Sequence, residues 1–434
     1  MNKLKKEIIA WSLYDFANQP FTTLIVTFIF GKFFVEVLAE NVITGTSLWS
    51  IGIAVTAIFV SLLSPLLGAL ADSGGYRKLF LIISTYICVI FTFLLYFFEP
   101  GIVFVIGDFN LDVSILALVV FIIANIGFEF GTVFCNSYLS DLSNNKNIGK
   151  ISGYAWGLGF VGGLISLALF LGFFDVSSDV NQVRRVNLLV AVWFFIFSLP
   201  TFFFLKDIKS KKGFTQHLRS SFRSISLTFK NISKHKNIVR FLIARLFYND
   251  ALVTIFAFGG IYAGYIGFNY TEVLILGVVL NISACIGSFM FGYIEDKIGV
   301  MKMINITLWV LFLSVLLAFI APFFDCQKLI CLPNEITSII NPKILFWFSG
   351  ILIGLMQGPN QSGSRSLMSR LTPDNKKNEF FGFYAFSGKA TSFVGPLLFG
   401  LLTSFFGTQQ AGLLIVVIFF LIGIILFKSL NLKY

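Results

Sequence analysis

The feature that most limits what this chain can become is a succession of twelve apolar runs, each near the length that crosses a bilayer. A spanning helix needs about 20 apolar residues. In hydrocarbon every backbone N–H and C=O must be satisfied within the segment, so such runs read as helices. The predicted helices cover 10–38, 48–72, 79–98, 113–140, 151–174, 187–205, 239–266, 271–295, 302–323, 343–370, 379–404 and 409–428. Hydrophobic residues make up 57% of the 434, and charged residues only 12%. A soluble protein of this length could not hide that much apolar surface. The 55 phenylalanines read as lipid-facing bulk. The expected class is an all-α integral membrane protein with twelve transmembrane helices in two six-helix pseudo-repeats. Residues 1–205 and 239–434 form the two bundles, and 206–238 is a basic linker between them. That linker carries Lys206, Lys209, Lys211, Lys212, Arg219, Arg223, Lys230, Lys234 and Lys236. It reads either as a solvated tether or as an amphipathic helix on an anionic membrane surface.

A net charge of +11 would raise nucleic acid as a partner in a soluble protein. Here membrane orientation explains the bases and no nucleic acid is expected. With the N-terminus inside, the outer loops hold only Arg184, Arg185, Lys328 and Lys343, and the remaining loop bases fall inside. That asymmetry predicts both termini in the cytoplasm and a location in the cell's inner or plasma membrane. The first apolar run is too long for a cleavable signal peptide, and it carries Asp15. Cys88, Cys135 and Cys285 lie in apolar runs, whereas Cys326 and Cys331 share one loop, as a disulfide or as two unrelated thiols. No zinc spacing, nucleotide-binding motif or nucleophile–base constellation is present, and both histidines, His217 and His235, lie in the linker. No enzyme, metal or cofactor is expected.

Two related stretches recur in matching places of the two halves: Gly68–Lys78, GALADSGGYRK, and Gly292–Lys302, GYIEDKIGVMK. Gly68, Asp72, Gly75 and Lys78 align with Gly292, Asp296, Gly299 and Lys302. A glycine on the last helical turn lets another helix come close. An aspartate at the helix end suits the positive N-terminus of a neighbouring helix or a nearby base. The second glycine permits a tight turn. Arg77, Lys78 and Lys302 put positive charge on the inner side.

Ionisable groups within spanning helices are costly unless paired or hydrated, so each is a functional candidate. They are Asp15, Glu129, Arg245, Asp250, Arg365 and Lys389. In the fourth run Asn125, Glu129, Thr132 and Asn136 share one helical face, and Glu129 is the first candidate for carrying a proton. In the tenth, Gln357, Asn360, Gln361, Ser364 and Arg365 recur at three- and four-residue steps. Amides beside a guanidinium suit a zwitterionic or carboxylate ligand, while Arg365 near the inner end reads equally as a gating charge. The first run places Asp15, Asn18, Gln19 and Thr22 on one side, with Pro20 able to break the helix. Lys32 and Glu36 pair or snorkel at its outer end. Asp250 points about 100° away from Asn249 and so faces a different neighbour. Lys389 is expected mid-span, in a structural ion pair. The structural alternative for each is a hydrogen bond or ion pair between helices.

The paired loop stretches resemble the loop motif of the major facilitator superfamily, with Ser73 and Met301 standing where that family usually has a base. The segments WSLYDFAN (11–18), VFCNSYLSDL (133–142), LFYNDALVT (246–254), GPNQSGSRSLMSRLTP (358–373) and FFGFYAFSGKATSFVGPLLFG (380–400) are similar to the vacuole-effluxer-like permeases, Cys135 replacing an expected aromatic. That resemblance implies secondary transport by alternating access around a central cavity. Fungal members release amino acids from the vacuole, which implies a small polar solute, amino acids among them, moving toward the cytosol. A proton or another cation is the expected coupling partner, and a monomer the expected state. The alternative is a non-transporting sensor or scaffold that signals through the linker.

Overall fold

The computed structural model describes residues 3–101, 103–106, 109–173, 180–206, 221, 223, 226–228, 230, 235–324 and 341–430. Cys326, Cys331 and most of the linker lie outside them. Helices α1 (Lys3–Leu38), α2 (Val42–Gly74), α3 (Arg77–Phe97) and α4 (Val113–Leu142) are followed by α5 (Ile148–Phe173) and α6 (Arg185–Phe204). Then come α7 (Lys236–Ile266), α8 (Tyr270–Ile298), α9 (Val300–Phe324) and α10 (Pro342–Leu371). Helices α11 (Lys377–Lys389) and α12 (Val394–Phe406) together make the eleventh crossing, and α13 (Gln409–Lys428) the twelfth. The expected all-α fold with twelve crossings is the one observed. Among the described residues, eleven segments are long and apolar enough to span a membrane. The segment that fails is α10, because the amides and bases between Gln357 and Arg370 dilute its apolar content.

One addition is a two-stranded antiparallel hairpin before α4, β1 (Val103–Ile106) and β2 (Phe109–Asp112), with Val103 opposite Asp112. Asp112 then caps α4 by accepting from the Ser114 N–H at 2.7 Å.

By contact the chain divides into two compact units. The first holds α1 to α4, α5 from Leu158, α6, and residues 373–386, which include most of α11. The second holds the start of α5 through Gly157, α7 to α10, α12, α13 and the last residues of α11. The boundary therefore runs through two helices, α5 and α11.

In the first unit α3 packs on α4, and α1 on α6. Trp11 and Tyr14 are fully buried: the Trp11 indole N–H donates to the Cys135 carbonyl at 2.8 Å, and the Tyr14 hydroxyl meets Thr85 Oγ1 at 2.8 Å. Large apolar side chains point outward as well, Phe173 at 77% and Phe203 at 76% exposure. In water such a surface would drive aggregation; in lipid it is the contact surface.

Pro20 does not break α1, as its sequence permits; it changes the helix bonding. The helix is α to Pro20, then bonds five residues back over Phe21–Phe28 and again over Phe34–Leu38. Lacking an N–H, Pro20 leaves the Phe16 carbonyl without its partner. The Trp193 indole N–H of α6 supplies one at 3.1 Å. Lys32 and Glu36 stand 3.9 Å apart and half exposed.

In the second unit α8 and α9 pack on α10, and α7 on α13. The eleventh crossing, expected as one helix, is interrupted after Lys389. Pro396 has no N–H to give the Ser392 carbonyl four residues back, so a continuous helix would lose that bond. The turn is held by the Ser392 N–H on the Lys389 carbonyl at 3.3 Å and the Val394 N–H on the Thr391 carbonyl at 2.8 Å.

Candidate functional site

Each unit contains one of the paired loop stretches. Gly75 and Gly299 have φ of +67° and +87°, where a side chain would be strained. In the first unit a Cβ on Gly68 would lie 2.2 Å from the Asn378 carbonyl oxygen, so only glycine admits α11 there. Asp72 Oδ1 accepts from the Asn378 N–H at 3.1 Å and the Asn378 side-chain amide at 2.7 Å, and Oδ2 accepts from the Glu379 N–H at 2.8 Å. These are the first-turn donors of α11, which no residue within that helix can satisfy. Arg77 binds Asp141 Oδ2 at 2.7 Å, its guanidinium 3.6 Å over the Tyr138 ring. Lys377 Nζ donates to the other Asp141 oxygen at 2.6 Å. Lys78 is half-buried.

The second unit repeats the device. Gly292 and Gly153 are apposed, and a Cβ on Gly153 would lie 2.6 Å from Gly292 Cα. Asp296 accepts from the Gly149 and Lys150 N–H groups, both at 2.9 Å, at the start of α5. Sequence reasoning missed the neighbouring group. Glu295 is fully buried, accepts from Ser366 Oγ, and stands 3.4 Å from Arg370 Nη2, which also lies 3.9 Å from Asp296. The available signal was the acid pair Glu295–Asp296 where the first copy has Ala71–Asp72. Lys302 is exposed. Also unforeseen was the role of Ser73, which stands where a base was expected and meets Ser221 Oγ at 3.1 Å.

Of the polar residues singled out within spans, the second unit gathers several. Arg245 Nη1 of α7 donates to Ser387 Oγ at 3.0 Å. Asn249 Nδ2 donates to the Gly388 carbonyl at 3.1 Å, and Gln361 Nε2 of α10 donates to Asn249 Oδ1 at 3.3 Å. Tyr248 joins α10 through Ser364 Oγ at 2.7 Å. The result is one polar network across α7, α10 and the end of α11, with Lys389 half-buried beside it. Gln357 is half-buried, one turn before Gln361. Asn360 faces the other way and donates to Thr307 Oγ1 at 3.1 Å. Arg365 is 2% exposed and gives Nε to Ser152 Oγ at 3.0 Å and Nη2 to the Ser152 carbonyl at 2.8 Å. Asp250 turns from Asn249 toward Gly395, whose N–H it accepts at 3.3 Å.

In the first unit Asn18 and Asn136 are buried, while Asp15, Gln19 and Glu129 are half-buried. Gly159 and Gly163 of α5 lie against Asp15 and Gln19. Thr132 turns its hydroxyl back to the Phe128 carbonyl at 3.1 Å.

The family model described as "Vacuole effluxer Atg22 like" matches residues 31–434. The chain belongs to this family of Atg22-like vacuole effluxers. A relative in Bacillus subtilis, the uncharacterized MFS-type transporter YxiO, is 25% identical, with 98% of this chain and 95% of that one covered. Autophagy-related protein 22-2 of Aspergillus fumigatus is 26% identical over 65% of this chain and 49% of its own. The chain thus spans about half the length of the fungal relatives it matches. The solved proton:xylose symporter XylE superimposes with a TM-score of 0.70 at 13% identity, covering 99% of this chain and 96% of that one. That likeness establishes the major facilitator fold. This Atg22-like chain is accordingly an integral membrane transporter of a small solute, and its relatives are transporters and effluxers rather than enzymes.

Proposed function

We propose that the chain moves a small polar solute, with amino acids the first class to test, by alternating access coupled to a proton or another cation. The network of Arg245, Asn249 and Gln361 with Ser387 and Gly388 carries this reading. Charged and amide groups are costly within a span and are spent where a polar ligand or ion must be met. Arg365, tied through two donors to Ser152, supports the gating alternative over direct ligand contact. Asp72 and Asp296, each on the first turn of a helix, support a role for the paired stretches in holding and releasing α11 and α5. Residues 1–205 and 239–434 act as the two bundles about the basic linker 206–238. The base asymmetry supports cytoplasmic termini, and a monomer suffices for this cycle.

The test is uptake into proteoliposomes under an imposed pH gradient, over panels of amino acids, peptides, sugars and organic ions. Accumulation of at least one panel above empty liposomes, abolished by collapsing the gradient, is expected. No movement of any panel would refute the proposal. Glu129→Gln is expected to lose gradient-driven uptake and keep solute exchange; loss of both, or of neither, would remove Glu129 as the carrier.

A further inference from the structure

Asp250 lies midway along α7, is 2% exposed, and sits against the first turn of α12. Its Oδ2 accepts the Gly395 N–H at 3.3 Å, and its Oδ1 has no hydrogen-bond partner. A Cβ on Gly395 would meet the Thr254 hydroxyl, the Asp250 carbonyl oxygen and the Phe419 ring, all uncharged. The Thr254 hydroxyl is committed to the Asp250 carbonyl at 2.8 Å. The charged and titratable groups on the surrounding elements are engaged elsewhere or remote. On α7 itself, Arg245 binds Ser387, Tyr248 meets Ser364, and Tyr262 donates to the Ala318 carbonyl. Arg365 of α10 binds Ser152. Lys389 ends α11 ahead of the turn, α12 has no titratable residue, and α13 has only Lys428 at its far end, over Trp309. A carboxylate sealed from water with one N–H and no cation is strongly disfavoured.

Helix α12 packs on α13 and meets α7 more sparsely. Of its thirteen residues only Gly395 and Phe399 are buried. Phe399 stacks on Phe258 at 4.3 Å and lines a small, partly open apolar cleft with Thr254, Tyr262, Phe346 and Leu413. A side chain beside a void has fewer contacts to lose on moving. The Asp250–Gly395 bond and the Phe258–Phe399 stack are what tie α12 to α7.

We propose that Asp250 holds a proton which latches α12 onto α7, and that releasing this proton frees α12. On release the carboxyl O–H bond breaks and the proton passes to water. The remaining charge draws hydration that the docked position does not provide, so α12 separates from α7. The proposal deepens the proton-coupled reading above and rests on it, placing a titrating group in the second unit alongside Glu129 in the first.

The test is hydrogen exchange of residues 394–406 in the full chain in nanodiscs, over a pH series corrected for intrinsic amide chemistry. A single-proton latch predicts that the open population rises about tenfold per pH unit through the transition. Asp250→Asn, which keeps the acceptor and cannot lose a proton, is expected to show slow, pH-independent exchange there. Glu129→Gln should leave the transition in place. A flat wild-type profile would overturn the latch, and this holds even if Asp250→Asn fails to fold. So would a transition that persists in Asp250→Asn, or protection restored at alkaline pH by saturating sodium, which would make the occupant a metal cation. Exchange that follows the prediction while no solute moves would sink the transport reading and leave the latch; uptake with flat exchange would do the reverse.

Discussion

Trp193 shows how one side chain repairs a backbone defect made by another. Pro20 frees the Phe16 carbonyl, and the indole N–H of Trp193 takes it. Trp193→Phe keeps most of the aromatic bulk against Phe16 and Phe197 and removes only the donor. A part-buried carbonyl left unsatisfied should cost about 1 kcal/mol, read as a lower unfolding midpoint of the purified protein in detergent. Asp72 and Asp296 do related work at greater range, each giving its carboxylate to the N–H groups of a helix that begins elsewhere in the chain. Asp72→Asn and Asp296→Asn should each lose about 1–2 kcal/mol, as charge-assisted bonds become neutral ones. The sequence marked both aspartates as helix-end acids, through the shared spacing of Gly68–Lys78 and Gly292–Lys302. Which helix end each would meet was not legible, because Asn378 and Gly149 are distant in the chain and carry no periodic signal of their own.

Among the elements, α8 has the most complete local start. Asn269 Oδ1 accepts from the Glu272 N–H at 2.9 Å, and Glu272 returns an oxygen to the Asn269 N–H at 2.7 Å. Asn269→Ala should cost about 1 kcal/mol in an unfolding titration. The Glu272 carboxyl is held below the usual carboxylate range, first by the Asn269 N–H and then by Lys343. A group lowered in the folded state stabilises at pH above its unfolded value, and that contribution is lost as pH falls through the folded one. The melting-temperature gap between wild type and Glu272→Gln should therefore be present at neutral pH and close in acid. Helix α10 illustrates the opposite case. Its length reads as a span, but its polar stripe dilutes the apolar signal, and only packing against α8 and α9 shows that it belongs with the others. The interruption between α11 and α12 was foreshadowed by Gly395-Pro396; that Asp250 would receive the new helix start was not, since its partner lies 145 residues away.

At the scale of the whole molecule, Asp72 and Asp296 share no bonding partner and stand in different compact units. The double variant Asp72→Asn, Asp296→Asn should therefore lose the sum of the single losses within about 0.5 kcal/mol, checked by the same unfolding titration. A large excess would reveal coupling between the two devices. The class of protein was settled by sequence alone. Eleven apolar runs of bilayer length, and a twelfth whose polar stripe dilutes it, leave helices as the way to satisfy the backbone in lipid, and two copies of one loop spacing in matching places disclose the internal repeat. The tertiary structure alone decided how the intramembrane polar groups divide: Arg245, Asn249 and Gln361 into one network, Asn360 and Arg365 away from it, and Asp250 onto a helix end. Helical periodicity gives the direction of a side chain about its own axis. The partner it finds depends on how neighbouring helices are rotated and where they are broken, and those are set by contacts between residues far apart in the chain.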